Sequence, residues 1–333
     1  MTRKSALIAG TAFALASLAV VANAATAQDQ QQSYSAATVS IENFIGRVEI
    51  RTGDSDAISV SITNPGDLVE DPQLRQTGDS LAIDGGQSIR NLNCNTRNGV
   101  IRIGRRWSSQ NEITEYPLLT ITAPASLALE LSDSAFQGTA GDLGSLDMEM
   151  SSCGRFETGA IAHDVDININ GSGDITTRDI GGNADIGING SGDVVLGAVA
   201  GMADVGINGS GDVRMADVTG DAEVRINGSG DVEFGRVAGL DIRIGGSGDV
   251  EARTVNGPFS AYIGGSGDIV VHDGRAEPFE VSINGSGDVR FGGTAVNVTV
   301  RESGGGDVDI EDIEGSIDWR RNGRTVLHVG GTD

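Results

Sequence analysis

The sequence predicts an all-β protein, a right-handed parallel β-solenoid whose coils are about 19 residues long. Three observations predict this fold. The tetrapeptide Gly-Ser-Gly-Asp recurs at a nearly constant interval, apolar residues alternate on both sides of each copy, and a further glycine marks a second corner. Beyond the first residues, no segment shows the 3.6-residue apolar period of an amphipathic helix.

The repeat is the strongest of these observations, because a fixed period of about 20 residues is typical of stacked repeat proteins. Successive copies are 18 to 20 residues apart. They begin at Gly171, Gly190, Gly209, Gly228, Gly246, Gly265 and Gly285, and a Gly-Gly-Gly-Asp variant begins at Gly304. Decayed copies precede them at 133–136 and 152–155. We therefore predict nine or ten coils between Leu118 and Trp319.

The residues inside each copy predict two short strands and a shorter third segment. In one copy, Val224 and Ile226 precede the motif, and Val232 and Phe234 follow it. Spacing by two places such residues on one face of a strand, and the phase restarts across Gly-Ser-Gly, where the chain must bend. One coil cannot bury its apolar face alone, but stacked coils can. A propeller blade needs about 40 residues, and a row of hairpins does not explain two corners per repeat.

The repeat coils are expected over 124–313, with a different kind of segment at each end. Residues 1–27 read as a secretory signal peptide, with Arg3 and Lys4 before an apolar stretch and cleavage after Ala24 or Ala27. The region 36–123 is predicted to be a β region that caps the solenoid, with loop-like sequence over 85–99. Its strands are predicted at 38–41, 47–50, 58–62, 80–83, 100–103 and 118–122. The segment 314–333 is predicted to form a hairpin cap that turns at Asn322-Gly323.

Charge and composition limit the partners. The chain carries a net charge of −24 and has no lysine after Lys4, so its surface repels nucleic acid and anionic lipid. The mature chain has no other long apolar run, so no membrane span is expected in it. Export permits a disulfide, for which Cys94 and Cys153 are the candidates, although their spacing alone does not show that they meet.

The repeated aspartates are the candidate metal site. Stacking places them in one outward column in which neighbouring carboxylates repel by roughly 0.9 kcal/mol per pair in bulk water. Two explanations remain open: hydrogen bonds from turn amides offset the repulsion, or Ca²⁺ bridges the carboxylates between coils. The column consists of Asp174, Asp193, Asp212, Asp231, Asp249, Asp268, Asp288 and Asp307. Calcium is the only cofactor that the sequence suggests. Stacked asparagines beside the motif are expected to hydrogen-bond along the solenoid.

The unit Ile-Asn-Gly-Ser-Gly-Asp-Val, as at 207–213, and the segment Leu119–Pro124 resemble the GIN domain, the head domain of putative auto-transporter adhesins. The resemblance covers roughly residues 36–313. It implies a β-solenoid in a protein of the bacterial envelope, in the periplasm, on the cell surface or secreted. It brings no catalytic residues.

Three functions follow as hypotheses. The first is a non-enzymatic, adhesin-like or structural module of the envelope, with an unknown protein or glycan partner. The low aromatic content of 4% disfavours a glycan, because sugars commonly stack on aromatic rings. The second is a calcium-stabilised repeat protein. The third is a polysaccharide lyase or hydrolase, which would need paired carboxylates, and no pair stands out among so many.

Overall fold

The structure is a computed structural model that describes residues 32–97, 100–106 and 108–329, so the predicted signal peptide lies outside the described residues. Regular structure in these ranges is β-strand, apart from one turn of 3-10 helix at Ile113–Glu115. Over the same ranges, no helix is long and apolar enough to cross a membrane.

The strands are numbered in chain order. The first ten are β1 Gln32–Tyr34, β2 Thr38–Glu42, β3 Ile45–Gly53, β4 Ile58–Thr63, β5 Gln73–Thr77, β6 Ser80–Asp84, β7 Leu92–Arg97, β8 Val100–Arg105, β9 Asn111–Glu112 and β10 Leu118–Pro124. The next ten are β11 Ala128–Ser132, β12 Ala135–Ala140, β13 Ser145–Met150, β14 Gly154–Thr158, β15 Val165–Ile169, β16 Asp174–Thr176, β17 Ala184–Ile188, β18 Val194–Leu196, β19 Ala203–Ile207 and β20 Val213–Met215. The last ten are β21 Ala222–Ile226, β22 Val232–Val237, β23 Leu240–Ile244, β24 Val250–Val255, β25 Phe259–Ile263, β26 Ile269–Ala276, β27 Phe279–Ile283, β28 Val289–Glu302, β29 Val308–Arg321 and β30 Arg324–Val329.

These strands confirm a parallel β-solenoid with about ten regular turns, and each turn has three faces. Face A holds the strands of five or six residues that precede each Gly-Ser-Gly-Asp corner or its decayed copy. They run from β13 through β15 and β17 onward to β27. Face B holds the strands after that corner, beginning with β14, β16 and β18. In the first turns face C is reduced to single bridges, which link Leu143, Ile161, Ile180, Val199, Val218 and Val237. From β22 onward the strands of face B continue into face C and pair there as well.

The chain does not enter the stack in sequence order. Here a level means one turn of the stack. The level formed by β6 and β10 is the outermost one. The level formed by β2 and β3 comes earlier in the sequence, but it lies between the outermost level and the level formed by β11 and β12. The region 36–123 therefore has two roles. Its strands β2, β3, β6 and β10 are levels of the solenoid, whereas β4 and β5 cap that end by antiparallel pairing, and β1 pairs with β4.

The stretch 85–99 is not all loop. It contains β7, which pairs with β8 to start a small three-stranded sheet inserted between β6 and β10. At the other end, β30 covers the second half of β29, with Asn322 and Gly323 at positive φ in the turn. Asn-Gly readily adopts these angles, which explains why the hairpin forms where it is predicted.

One apolar core runs through the stack, built from the alternating residues that the repeat predicts. Val224, Ile226 and Val232 are fully buried, as are their counterparts in the neighbouring turns. Outward positions alternate with these, so each face presents straight rows of equivalent side chains. The position of such a row along the repeat decides which groups surround it.

Candidate binding groove

The Gly-Ser-Gly-Asp corner joins face A to face B, and close stacking explains its glycines. None of them has a positive φ among the described residues. A Cβ on Gly209 would instead collide with the carbonyl oxygen of Gly190 in the preceding turn, and a Cβ on Gly211 with that of Gly192. Glycine is required here because the backbones of successive corners touch.

The corner aspartates form the predicted column, and each is bound to the next turn. One oxygen of Asp193 accepts the backbone N–H of Asp212 at 2.9 Å, and Asp212 accepts that of Asp231 at 3.0 Å. The same contact recurs from Asp174 to Asp307. The carboxylate thus supplies the acceptor that a strand carbonyl would supply, at a corner where the ladder is interrupted.

These hydrogen bonds favour the explanation in which backbone amides offset the repulsion between the aspartates over the explanation in which Ca²⁺ bridges them. Within the ranges that the structure describes, no three acidic, histidine or cysteine side chains are grouped so that they could hold a metal ion. Calcium binding by Asp174, Asp193 and the six aspartates stacked beyond them stays an untested prediction.

The asparagines beside the motif form their own row. The side-chain amide of Asn189 donates to Asn170, that of Asn208 to Asn189, and that of Asn227 to Asn208, each at 2.9 Å. Gly245 and Gly264 then end the row. The expected amide ladder therefore exists, and it holds the corners in register.

A second column of acids lies on face A, near the edge with face C. It is named here the acidic row. Parallel register places its members directly above one another in consecutive strands. They are Asp147, Asp166, Asp185, Asp204, Glu223 and Asp241. Five steps of about 4.8 Å give the row a length of about 24 Å.

The acidic row forms one wall of a groove of about 760 Å³, the acidic groove. The opposite wall is formed by the residues two positions before each member of the acidic row. These include Asp164, Asn183 and Asp221. Met202, which is 59% exposed, lies between Asn183 and Asp221. Strand-starting residues such as Ala184 and Ala203 lie between the walls and are buried. The groove therefore runs along the solenoid axis, across the strands.

Counter-charges occupy only one half of the acidic row. Arg225 binds Asp204 at 2.8 Å, and Arg243 binds Glu223 at 2.7 Å and Asp241 at 3.1 Å. In the other half, the side-chain amide of Asn168 donates to Asp166 at 2.7 Å. No arginine within the described residues is paired with Asp147, Asp166 or Asp185.

The pKa values in the acidic row reflect this distribution of arginines. Burial raises the pKa of Asp166 above its usual value, and the charges of Asp185 and Asp147 raise it further. Burial also raises the pKa of Asp185, and the charge of Asp204 adds to this while Arg225 opposes it. Uncompensated negative charge in a partly desolvated groove is unfavourable, so a cation that bound there would relieve it.

The two cysteines meet at the inserted sheet. A disulfide joins Cys94 in β7 to Cys153 in the corner before β14, with the Cα atoms 6.0 Å apart. That separation suits the bond. Cys153 packs with Ile103 and Tyr116 in a small second core, so the bond fastens the insertion to the solenoid.

Reasoning from the sequence singled out the corner aspartates and missed the acidic row. The signal was present, since an acid stands eight residues before the motif aspartate in five consecutive copies, from Asp166 to Asp241. Arg225 and Arg243 were not singled out from the sequence either. Their role as partners of the acidic row depends on which side chains the stacking brings together.

The comparisons with known proteins agree with this architecture. A search of curated proteins finds no match to the chain. A family model described as "Putative auto-transporter adhesin, head GIN domain" matches residues 45–258 and 251–317, which is most of the chain. The chain therefore belongs to the family of GIN domains, the heads of putative auto-transporter adhesins.

Proposed function

We propose that this protein is an exported, non-enzymatic and adhesin-like module of the cell envelope, which binds its partner along the acidic groove. The observation that carries the proposal is the half-neutralised acidic row, where Asp166 and Asp185 lack a cationic partner among the described residues. Membership of the GIN family supports the adhesin-like role and the exported location.

The groove is better suited to binding than to hydrolysis of a polysaccharide. Acid–base catalysis needs two groups whose surroundings push their pKa values apart. Here burial raises the pKa of Asp166 and of Asp185 alike, so the two carboxyl groups are not shifted in opposite directions. Incubation with uronate polymers should release no product. Product formed by the natural protein and lost in Asp185→Asn would replace this proposal with an enzyme.

Export is tested by fractionation. The full chain should appear in the periplasm, at the surface or in the medium, and a chain lacking residues 1–27 should stay in the cytoplasm. Equal distribution of the two chains would contradict export.

Binding is tested with labelled protein on intact cells and isolated envelopes. We expect saturable binding that is lost in Gly206→Arg, because the new guanidinium would reach Asp185 as Arg225 reaches Asp204. The matched control is Gly305→Arg, because both glycines have room for a side chain, with nearest contacts of 4.0 and 3.9 Å. Absent binding, or binding weakened equally by both variants, would overturn the proposed role of the groove.

A further inference from the structure

We propose that two copies of this protein associate end to end, through the C-terminal end of the solenoid and across a twofold axis. In this dimer, β30 of each copy lies over the part of β29 that is open in the other. The inference goes beyond the proposed function, because it concerns a different surface and a different partner. It is carried by the shape of this end, by its uncovered apolar side chains and by the charges on its two halves.

The two ends of the solenoid are finished differently. At the first end, β4 pairs with both β1 and β10, and β5 covers β6. Ile58 and Val60 of β4 are buried there. At the last end, β30 pairs only with Ile317–Arg321 of β29. Among the described strands, residues 308–314 of β29 pair with β28 alone, so this end has a step one strand high, about 4.8 Å.

The covered half of the step has a fixed shape. Glu302, at the end of β28, is 2% exposed and lies opposite Arg321 in the parallel register. Its carboxylate accepts hydrogen bonds from the indole of Trp319 at 3.2 Å and from the guanidinium of Arg321 at 2.6 Å. These bonds hold the strand beneath β30 in place, so the step is formed before a partner arrives.

The open half of the step has one stretch that lacks a neighbouring strand. On face C, the carboxylate of Asp312 accepts the N–H of Ile313 at 3.0 Å, so this N–H is already bound. On face B, Ile310 has the position that Thr177 has in an earlier turn, where the N–H of Thr177 donates to Val195 of the next turn at 2.9 Å. No turn follows β29 on face B among the described residues, so the edge at Ile310 is open to a strand from outside.

Apolar side chains lie on both halves of the step. Ile310 and Ile313 pack against the end of the core and are only partly buried. On β30, Val326 is 60% exposed and Leu327 is 44% exposed. Leu327 lies opposite Trp319, so the two side chains share the face of the sheet that is directed towards the core. A second end placed on the first would remove these side chains from water.

The charges of the two halves are complementary. Arg324, at the start of β30, has no acidic partner within the described residues, and it lies at the end of face A beside the corner to face B. Asp309 lies just after that corner on face B; its side chain is 80% exposed and its contact with Arg290 is 3.9 Å long. A twofold axis through this corner places β30 of one copy over face B of the other and brings Arg324 to Asp309 twice.

Other orientations of the two copies fit less well. If face A lay over face A, β30 would meet β30, Arg324 would approach its own copy, and both open halves would stay uncovered. If β30 lay over face C instead, it would meet carboxylates that are already engaged. Glu314 is paired there with Arg275 at 2.9 Å, and Asp312 accepts the N–H of Ile313. Face B is therefore the favoured partner of β30.

Sedimentation equilibrium of the purified protein, at concentrations up to about 1 mM, tests the inference, because an interface of this size is weak. We expect a monomer–dimer equilibrium that weakens by about tenfold or more in Asp309→Arg and in Arg324→Asp, since each change opposes like charges at two places. The double variant Asp309→Arg, Arg324→Asp exchanges the charges and should dimerise as the parent does.

Two comparisons separate a specific dimer from general association. Asp309→Arg reduces the net negative charge of the chain, so association governed by net charge alone would become stronger in this variant. Val326→Ser should weaken the dimer. Val195→Ser makes the same change at a valine that is 39% exposed on face B, far from the step, and should leave the dimer unchanged. Circular dichroism melting checks that each variant is folded, and restoration by the double variant keeps the test decisive.

Three results would overturn the inference. They are a parent protein that stays monomeric over the whole range, a dimer that the double variant fails to restore, and a dimer that Val195→Ser weakens as much as Val326→Ser does. Dimers that form only after removal of residues 330–333 would show that these residues cover the step, which also overturns it. The proposed function is tested separately by Gly206→Arg in the groove, so either proposal can fail alone.

Discussion

Two columns of acidic side chains run along the same solenoid, and they differ in what surrounds them. In the corner column, Asp212 receives a backbone N–H from the next turn at 3.0 Å. In the acidic row, Asp185 stands between like charges, and burial and the charge of Asp204 raise its pKa. The corner column is the conspicuous one in the sequence, yet its carboxylates hold the turns together. Carboxylates without internal partners are the better candidates for binding.

Substitution of the glycines beside the two columns is expected to give the largest difference in the free energy of unfolding. Gly209→Ala should destabilise the protein by roughly 3 kcal/mol, because its Cβ would force two corners apart. Gly206→Ala, beside the acidic row, has its nearest contact at 4.0 Å and should be neutral or stabilising by about 0.5 kcal/mol. Urea unfolding measures both. Equal effects would contradict the stacking explanation of the corner.

Removal of the acids themselves should have effects of opposite sign. Asp212→Ala leaves the N–H of Asp231 without its acceptor and should cost about 1–2 kcal/mol. Asp212→Asn keeps an acceptor oxygen and should cost less. Asp185→Asn removes a repelled charge and should stabilise the protein. If Asp185→Asn destabilised it more than Asp212→Ala, the assignment of structural and binding rows would be reversed.

The pH dependence of stability should distinguish the acidic row from acids that have cationic partners. The raised pKa values of Asp166 and Asp185 mean that the folded state holds protons more tightly than the unfolded state. Their unfavourable effect is therefore present above the raised pKa and disappears below the unfolded value of about 3.9. The double variant Asp166→Asn, Asp185→Asn should be more stable than the parent at pH 7, with no difference near pH 3.

Asp217, at the corner between faces B and C, provides the contrast. Side-chain hydrogen bonds from Arg236, followed by the backbone N–H of Arg236, lower the pKa of Asp217. Its stabilising effect is present above the unfolded value and is lost as the pH falls through the lowered pKa. Asp217→Asn should therefore lower stability at pH 7, opposite to the double variant, in chemical unfolding measured across the pH range.

Calcium should give the smallest effect. Seven of the eight corner carboxylates already accept a backbone N–H, so we expect the melting temperature to be nearly the same in calcium and in chelator. Differential scanning calorimetry measures this. A higher melting temperature in calcium than in chelator, if Asp212→Asn abolished it, would instead support the hypothesis that calcium stabilises the corner column.

The repetitive part of the fold was predictable because its causes are local. Alternation around residues such as Val224 and Ile226 sets the strands, and the regular Gly-Ser-Gly-Asp sets the corners. The N-terminal levels were not predictable in this way. Their order depends on β2 and β3 pairing with strands 40 to 90 residues away along the chain, and no local pattern records that choice.

The sequence by itself determined the repeat length, the strand positions, the acidic surface and the resemblance to the GIN family, because side-chain alternation and glycine act within a single turn. The tertiary structure alone decided which acids have partners. The N–H that binds Asp193 comes from Asp212, and the guanidinium that binds Asp204 comes from Arg225. Each lies about one turn further along the chain. Stacking therefore satisfies the charge of the corner column and leaves half of the acidic row without counter-charge.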